Sequence, residues 1–140
     1  MREFKFRAYF KMDGNTYAVL AIDFSKDVAT LYDAKTEADF TASFEDIELM
    51  QYTGYRDKNG IRIYEGDVLI KVDDKYEELY TIVYKYGCFY LFHRGMDDPL
   101  FLDGQSLYDG QSFYEIYYEV IGNVYENEDD VLYRKVRRKK

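Results

Sequence analysis

Cys88 and His93 are the only thiol and the only imidazole in the sequence, so a soft-ligand metal site or a thiol–base pair must use both. A zinc centre takes about four such ligands, and a cysteine nucleophile needs its base within hydrogen-bond reach. Five residues apart on one strand, the two point to opposite faces. The spacing therefore predicts Cys88 beside a hairpin turn and His93 at the surface, with no metal. Asp57-Lys58-Asn59-Gly60 invites comparison with a calcium loop. Setting Gly60 at the sixth loop position puts Tyr55 where the first Asp belongs and Gly66 where the twelfth residue should be Glu. The template fails at both ends, and a turn remains. No phosphate-cradling lysine loop and no G-x-G-x-x-G occurs, so nothing supports a nucleotide or another cofactor. With 27 Asp and Glu, close carboxylates arise by chance, and solvated acids are the default. Glu65, between Tyr64 and Gly66, is the carboxylate to watch. A structural role there, accepting hydrogen bonds from turn amides, outweighs a catalytic one. No enzyme activity is expected.

Charge suggests partners more directly. The net charge is −8, but Arg134, Lys135, Arg137, Arg138, Lys139 and Lys140 form a basic tail over residues 134–140. Residues 1–133 then hold 13 basic against 27 acidic side chains, a balance of −14. The tail has the composition of a phosphate-contacting arm, of a solubilising end, or of a segment lying on a neighbouring subunit's acidic body. A broad nucleic-acid groove on so acidic a body is not expected. A lone cysteine fits a reducing compartment, and no apolar run approaches the ~18 residues that span a bilayer. Those features predict a soluble, cytoplasmic protein.

The elements that must hold these residues read as strands. Phe4, Phe6 and Ala8 alternate with Lys5, Arg7 and Tyr9, which is the period of a half-buried strand. Asp13-Gly14-Asn15 turns the chain into a return strand from Tyr17 to Phe24. Val28–Tyr32 and Phe40–Phe44 are shorter strands, and Asp33–Asp39 between them is either a turn or a helical turn. Glu48–Thr53 and Ile61–Tyr64 flank Asn59-Gly60, which predicts a type I′ hairpin with positive φ at both residues. Val68–Val72, Tyr80–Tyr86, Phe89–Phe92 and Tyr114–Tyr125 complete the strands, with Gly122 as a bulge. Gly95 to Gly110 is turn-rich and overlaps a short duplication, Asp103-Gly104-Gln105-Ser106 and Asp109-Gly110-Gln111-Ser112, too brief for a solenoid. Asn127 with acids after it and bases at 134–135 predicts a short C-terminal helix.

Leu49-Met50-Gln51-Tyr52-Thr53-Gly54, Asp57-Lys58-Asn59-Gly60 and Ile63-Tyr64-Glu65-Gly66-Asp67 together resemble the central motif of the YopX-like family of phage and prophage proteins. The opening Met1 to Ala8 and the later Glu119 to Asn127, with Gly122-Asn123 inside it, are similar to that family in the same order. Tyr55 stands where the family favours leucine, and Glu128 where it often has proline. The resemblance implies an all-β fold related to SH3-like barrels, an oligomeric arrangement and no established activity. It makes Gln51, Tyr52, Thr53, Gly54, Asp57, Asn59, Gly60, Tyr64, Glu65, Gly66, Asp67, Gly122 and Asn123 the motif residues, with structural roles.

The expected organisation is one β-rich domain over 1–133 with short helical segments, open to division into a β subunit at 1–50 and a barrel-like one at 51–126. With 17 Tyr and 10 Phe but no Trp, the chain carries aromatic surface suited to contacts. The function these features suggest is a non-enzymatic accessory protein of phage or prophage, in the bacterial host's cytoplasm. It would form a homo-oligomer and bind a host or phage protein. The alternatives are nucleic-acid binding through the tail and an acidic mimic of DNA that occupies a host protein.

Overall fold

The computed structural model describes residues 3–72, 77–85, 87–93, 100–101 and 118–126. They form an all-β protein of two antiparallel sheets, and the chain divides into two units, Met1–Tyr52 and Thr53–Lys140.

The N-terminal unit is a meander of β1 (Phe6–Phe10), β2 (Asn15–Asp23), β3 (Val28–Asp33) and β4 (Ala38–Ser43), followed by a 3-10 turn, Phe44–Asp46, and the start of β5 (Ile47–Arg56). Three aspartates open its hairpins. Asp13, Asp23 and Asp33 each accept the amide of the residue two positions on, at 3.0, 2.9 and 2.9 Å. This Asx geometry gives the backbone a local partner that competes with further strand or helix. It resolves Asp33–Asp39 as a tight turn; the 3-10 turn supplies the only helical backbone among the described residues.

β5 pairs with β1, so β4 and β5, though consecutive, lie four strand spacings apart in the row β4-β3-β2-β1-β5. In a flat sheet that separation is about 19 Å, whereas a 3-10 connection from Ser43 to Ile47 advances only about 8 Å. The sheet must therefore curl. Ala8, Ala29 and Ala42 are buried on its inner face with Leu31 and Ile47, small enough to permit the bend. Phe10, Tyr17 and Phe40 fill the rest, with ring centroids 5.1–6.4 Å apart. The 3-10 turn is pinned from both sides, as Phe44 N–H donates to Asp27 O and Lys11 N–H to Asp46 O, each at 2.9 Å. No ladder joins β4 to β5 among the described residues, so this curl is not a closed barrel.

The second unit begins with the end of β5, which pairs with β6 (Arg62–Tyr64). Its own sheet runs β10-β9-β8-β7-β11, where β7 is Asp67–Val72, β8 Glu77–Lys85, β9 Cys88–His93, β10 Leu100–Phe101 and β11 Tyr118–Asn123. The core cluster packs Ile63 of β6 with Leu69, Tyr80, Ile82, Leu91 and Tyr118 of this sheet. Its pattern follows the pleat: Tyr80 and Ile82 on β8 stand beside Leu69 of β7, and Ile82 faces Leu91 of β9. β11 bulges between Val120 and Gly122, as the glycine predicts. β10 lies inside the stretch read as only turn-rich. The C-terminal helix, the basic tail and the Asp-Gly-Gln-Ser duplication lie outside the described residues.

Candidate functional site

Among the described residues, the buried polar and charged side chains are Asp57, Asp67 and Asn123, and all three belong to the motif. Burying a carboxylate is costly unless its oxygens are hydrogen-bonded, so their partners define the site. Asp57 is 2% exposed. Its Oδ1 accepts the amides of Asn59 (2.8 Å) and Ile61 (2.9 Å), and its Oδ2 accepts that of Val120 (2.9 Å). Around it, Gly60 N–H donates to Asp57 O, Asp57 N–H to Ile61 O and Lys58 N–H to Tyr118 O, at 2.8–3.0 Å. One carboxylate thus shapes the β5–β6 turn and fastens it to β11. Lys58 Nζ and Glu119 Oε2, 3.5 Å apart, add an ion pair between an exposed lysine and a half-buried glutamate at the same junction.

The turn itself corrects the type I′ expectation. Asn59 is not among the residues with positive φ; only Gly60 is, at +78°. An Asp57 O acceptor for Gly60 N–H followed by a left-handed glycine is the type I turn with a bulged fourth residue. Asn59 is released from the left-handed region because the Asp57 side chain already holds its amide.

Asp67 opens β7 fully buried, its Oδ2 accepting Tyr64 N–H at 2.8 Å. Gly66 before it has φ +84°, donates to Ile82 O at 2.7 Å and accepts from Val124 N–H at 2.9 Å. Asn123, opposite Asp67 in the β7–β11 register, accepts the amides of Tyr125 and Glu126 and donates to Glu126 Oε2, at 2.9–3.1 Å. Thr53 Oγ1 donates to Ile63 O at 2.7 Å and accepts Tyr55 N–H at 3.2 Å. Gln51 and Tyr52 lie on the part of β5 in the N-terminal unit, Gly54 near its end with φ +94°, and Glu65 half-buried in the β6–β7 turn. Asp57 and Asp67 accept turn amides, the kind of role anticipated for Glu65. The signal was available in the spacing of Asp57 from Asn59 and of Tyr64 from Asp67.

A second polar group went unread in the sequence. Tyr80 Oη donates to Glu78 Oε2 at 2.5 Å, and the Tyr80 and Tyr118 rings meet edge to face at 5.5 Å. Lys71 of β7 stands between Glu78 and Tyr118 in register, so β7 brings together residues far apart in the chain. Burial, then the neighbouring Glu78 carboxylate, pushes the Tyr118 phenol up to about 12 and raises that of Tyr80 further. At neutral pH both phenols keep their protons and act as hydrogen-bonding groups at the end of the core.

Cys88 and His93 occupy the two ends of β9, roughly 17 Å apart along the strand. Cys88 is half-buried beside the turn at Gly87, while the side chain of His93 lies outside the described residues. Among the described residues, no three His, Cys, Asp or Glu are placed to hold a metal ion. No helix there is long and apolar enough to cross a membrane.

The sequence pattern of the YopX protein family matches residues 5–129. The chain belongs to the YopX family. The YopX match embraces both units, and the family is one of uncharacterised proteins. The crystal structure of protein EF1440 from Enterococcus faecalis is similar, with a TM-score of 0.58 and 26% identity over 94% of this chain and 99% of that one. No curated protein matches the chain.

Proposed function

We propose that this YopX-family protein is a non-enzymatic accessory protein of phage or prophage, acting in the host cytoplasm, that self-associates and binds a protein partner. The observation that carries this is the use of the motif's polar groups. Both oxygens of Asp57 are occupied by backbone amides, and the hydrogen bonds given for Asp67 and Asn123 likewise hold neighbouring backbone. A motif so used is scaffold, and it leaves recognition to the surface. Met12, Phe24 and Leu20 are 77, 76 and 57% exposed on the N-terminal unit, a supply of apolar contact area. The same proposal takes residues 51–126 as the barrel-like, SH3-related unit and residues 1–133 as one functional domain.

The charge split favours a second reading, in which the basic tail carries nucleic acid, and a variant in which the acidic body mimics it. Affinity capture by the full chain from infected-host lysate, with and without nuclease, separates them. A defined protein recovered equally after nuclease is the expected result. Recovery lost on nuclease treatment would move the function to the tail.

A further inference from the structure

The N-terminal sheet ends in an edge that lacks the usual protections. β4 comes last in the strand order and, among the described residues, has a ladder on one side only, to β3. That ladder runs without a bulge from Val28↔Ser43 to Asp33↔Ala38. Natural edge strands are commonly blunted by proline, bulges, extreme shortness or several charges. β4 is six residues long, Ala-Asp-Phe-Thr-Ala-Ser, with Asp39 its only charge. Ala38, Asp39 and Thr41 are exposed and Phe40 half-buried, whereas Ala42 is buried and Ser43 abuts the 3-10 turn.

We propose that β4 pairs antiparallel with β4 of a second copy, joining two N-terminal sheets across a two-fold axis. The proposal rests on the self-association reading above and names its surface. A second copy is the fitting occupant because the strand is complementary to itself. On any edge the outward-facing amides belong to alternate residues, so a symmetric antiparallel pair must place its axis through a residue. An axis through Asp39 opposes two carboxylates, and one through Thr41 needs Ser43, next to the turn. The axis through Phe40 avoids both. It sets Ala38 against Ala42, Asp39 against Thr41, and Phe40 against its own copy. Phe40 already stacks with Phe10 and Tyr17 on the inner face, so the aromatic layer continues across the axis. Asp39 and Thr41 share the opposite, solvent-facing side.

This register makes a charge test, because Thr41 is exposed and faces Asp39 of the other copy. In sedimentation equilibrium of the full chain at low salt, Thr41→Lys should tighten the dimer and Thr41→Asp should weaken it by about tenfold, from two symmetric cross-strand pairs. Asp39→Asn combined with Thr41→Asp should restore most of the loss. Melting curves establish that each variant is folded. As an independent readout, amide exchange at residues 38–42 of the unmodified chain should slow as protein concentration rises. Association that ignores both Thr41 variants and leaves exchange at 38–42 independent of concentration overturns the β4 surface while keeping self-association. A wild-type chain that is monomeric throughout overturns both.

Discussion

Asp13 and Asp57 make the same local contact, a carboxylate oxygen accepting the amide two residues on, at 3.0 and 2.8 Å. Burial separates their energetic weight. Around the exposed Asp13, water replaces a lost acceptor, and Asp13→Ala should cost at most about 1 kcal/mol. At the buried Asp57, removing the carboxylate strands three amides, and Asp57→Ala should cost about 3 kcal/mol or more in urea denaturation. Equal losses at the two positions would show that the Asp57 network carries no special load. The tyrosine pair gives a pH prediction with a definite sign. A phenol whose folded pKa is raised keeps its proton where the unfolded chain has begun to lose it, so that stabilisation is complete below about 10 and is lost as pH rises through about 12. Denaturation midpoints should fall across that window, and the fall should be shallower in Tyr118→Phe. A slope unchanged by the substitution would place the alkaline sensitivity elsewhere.

Hairpins are the elements in which local sequence and structure agree most closely, because an Asp or Gly at the right offset decides them before any tertiary contact forms. Gly60 and Glu37 both sit in the left-handed region, at φ +78° and +55°. Nothing lies within 4 Å of a Cβ added at Gly60, so any cost there belongs to the backbone alone. Gly60→Ala should lower stability by about 1 kcal/mol, while Glu37→Gly should raise it by about 0.5 kcal/mol after the added chain entropy is counted. Thermal melts of the two variants should shift in opposite directions; shifts of the same sign would mean that φ does not govern these turns. Strand existence was legible from period-two alternation, and the bulge from Gly122. The type I′ expectation failed because a dipeptide rule at Asn59-Gly60 cannot register that Asp57 has claimed the Asn59 amide. The curl of the N-terminal sheet depends on β1 pairing with β5, and the Glu78–Tyr80–Tyr118 cluster on β7 lying between β8 and β11. Those are non-local ladders, which no window along the chain contains.

At the scale of the molecule, a YopX-family protein of two β units has Asp57 and Asp67 engaged with backbone, and Met12, Leu20 and Phe24 of its N-terminal unit are exposed. On the function proposed above, this protein works by association rather than by chemistry. An apolar contact should persist in high salt, whereas attraction between the −14 body and the basic tail is screened beyond a Debye length of about 8 Å at physiological strength. The most direct measurement is sedimentation across a range of protein concentration, at low and high salt, for the intact chain and for one truncated after Tyr133. An oligomer in all four conditions, modestly weaker without the tail, is the expected result. A monomer in every condition would contradict it.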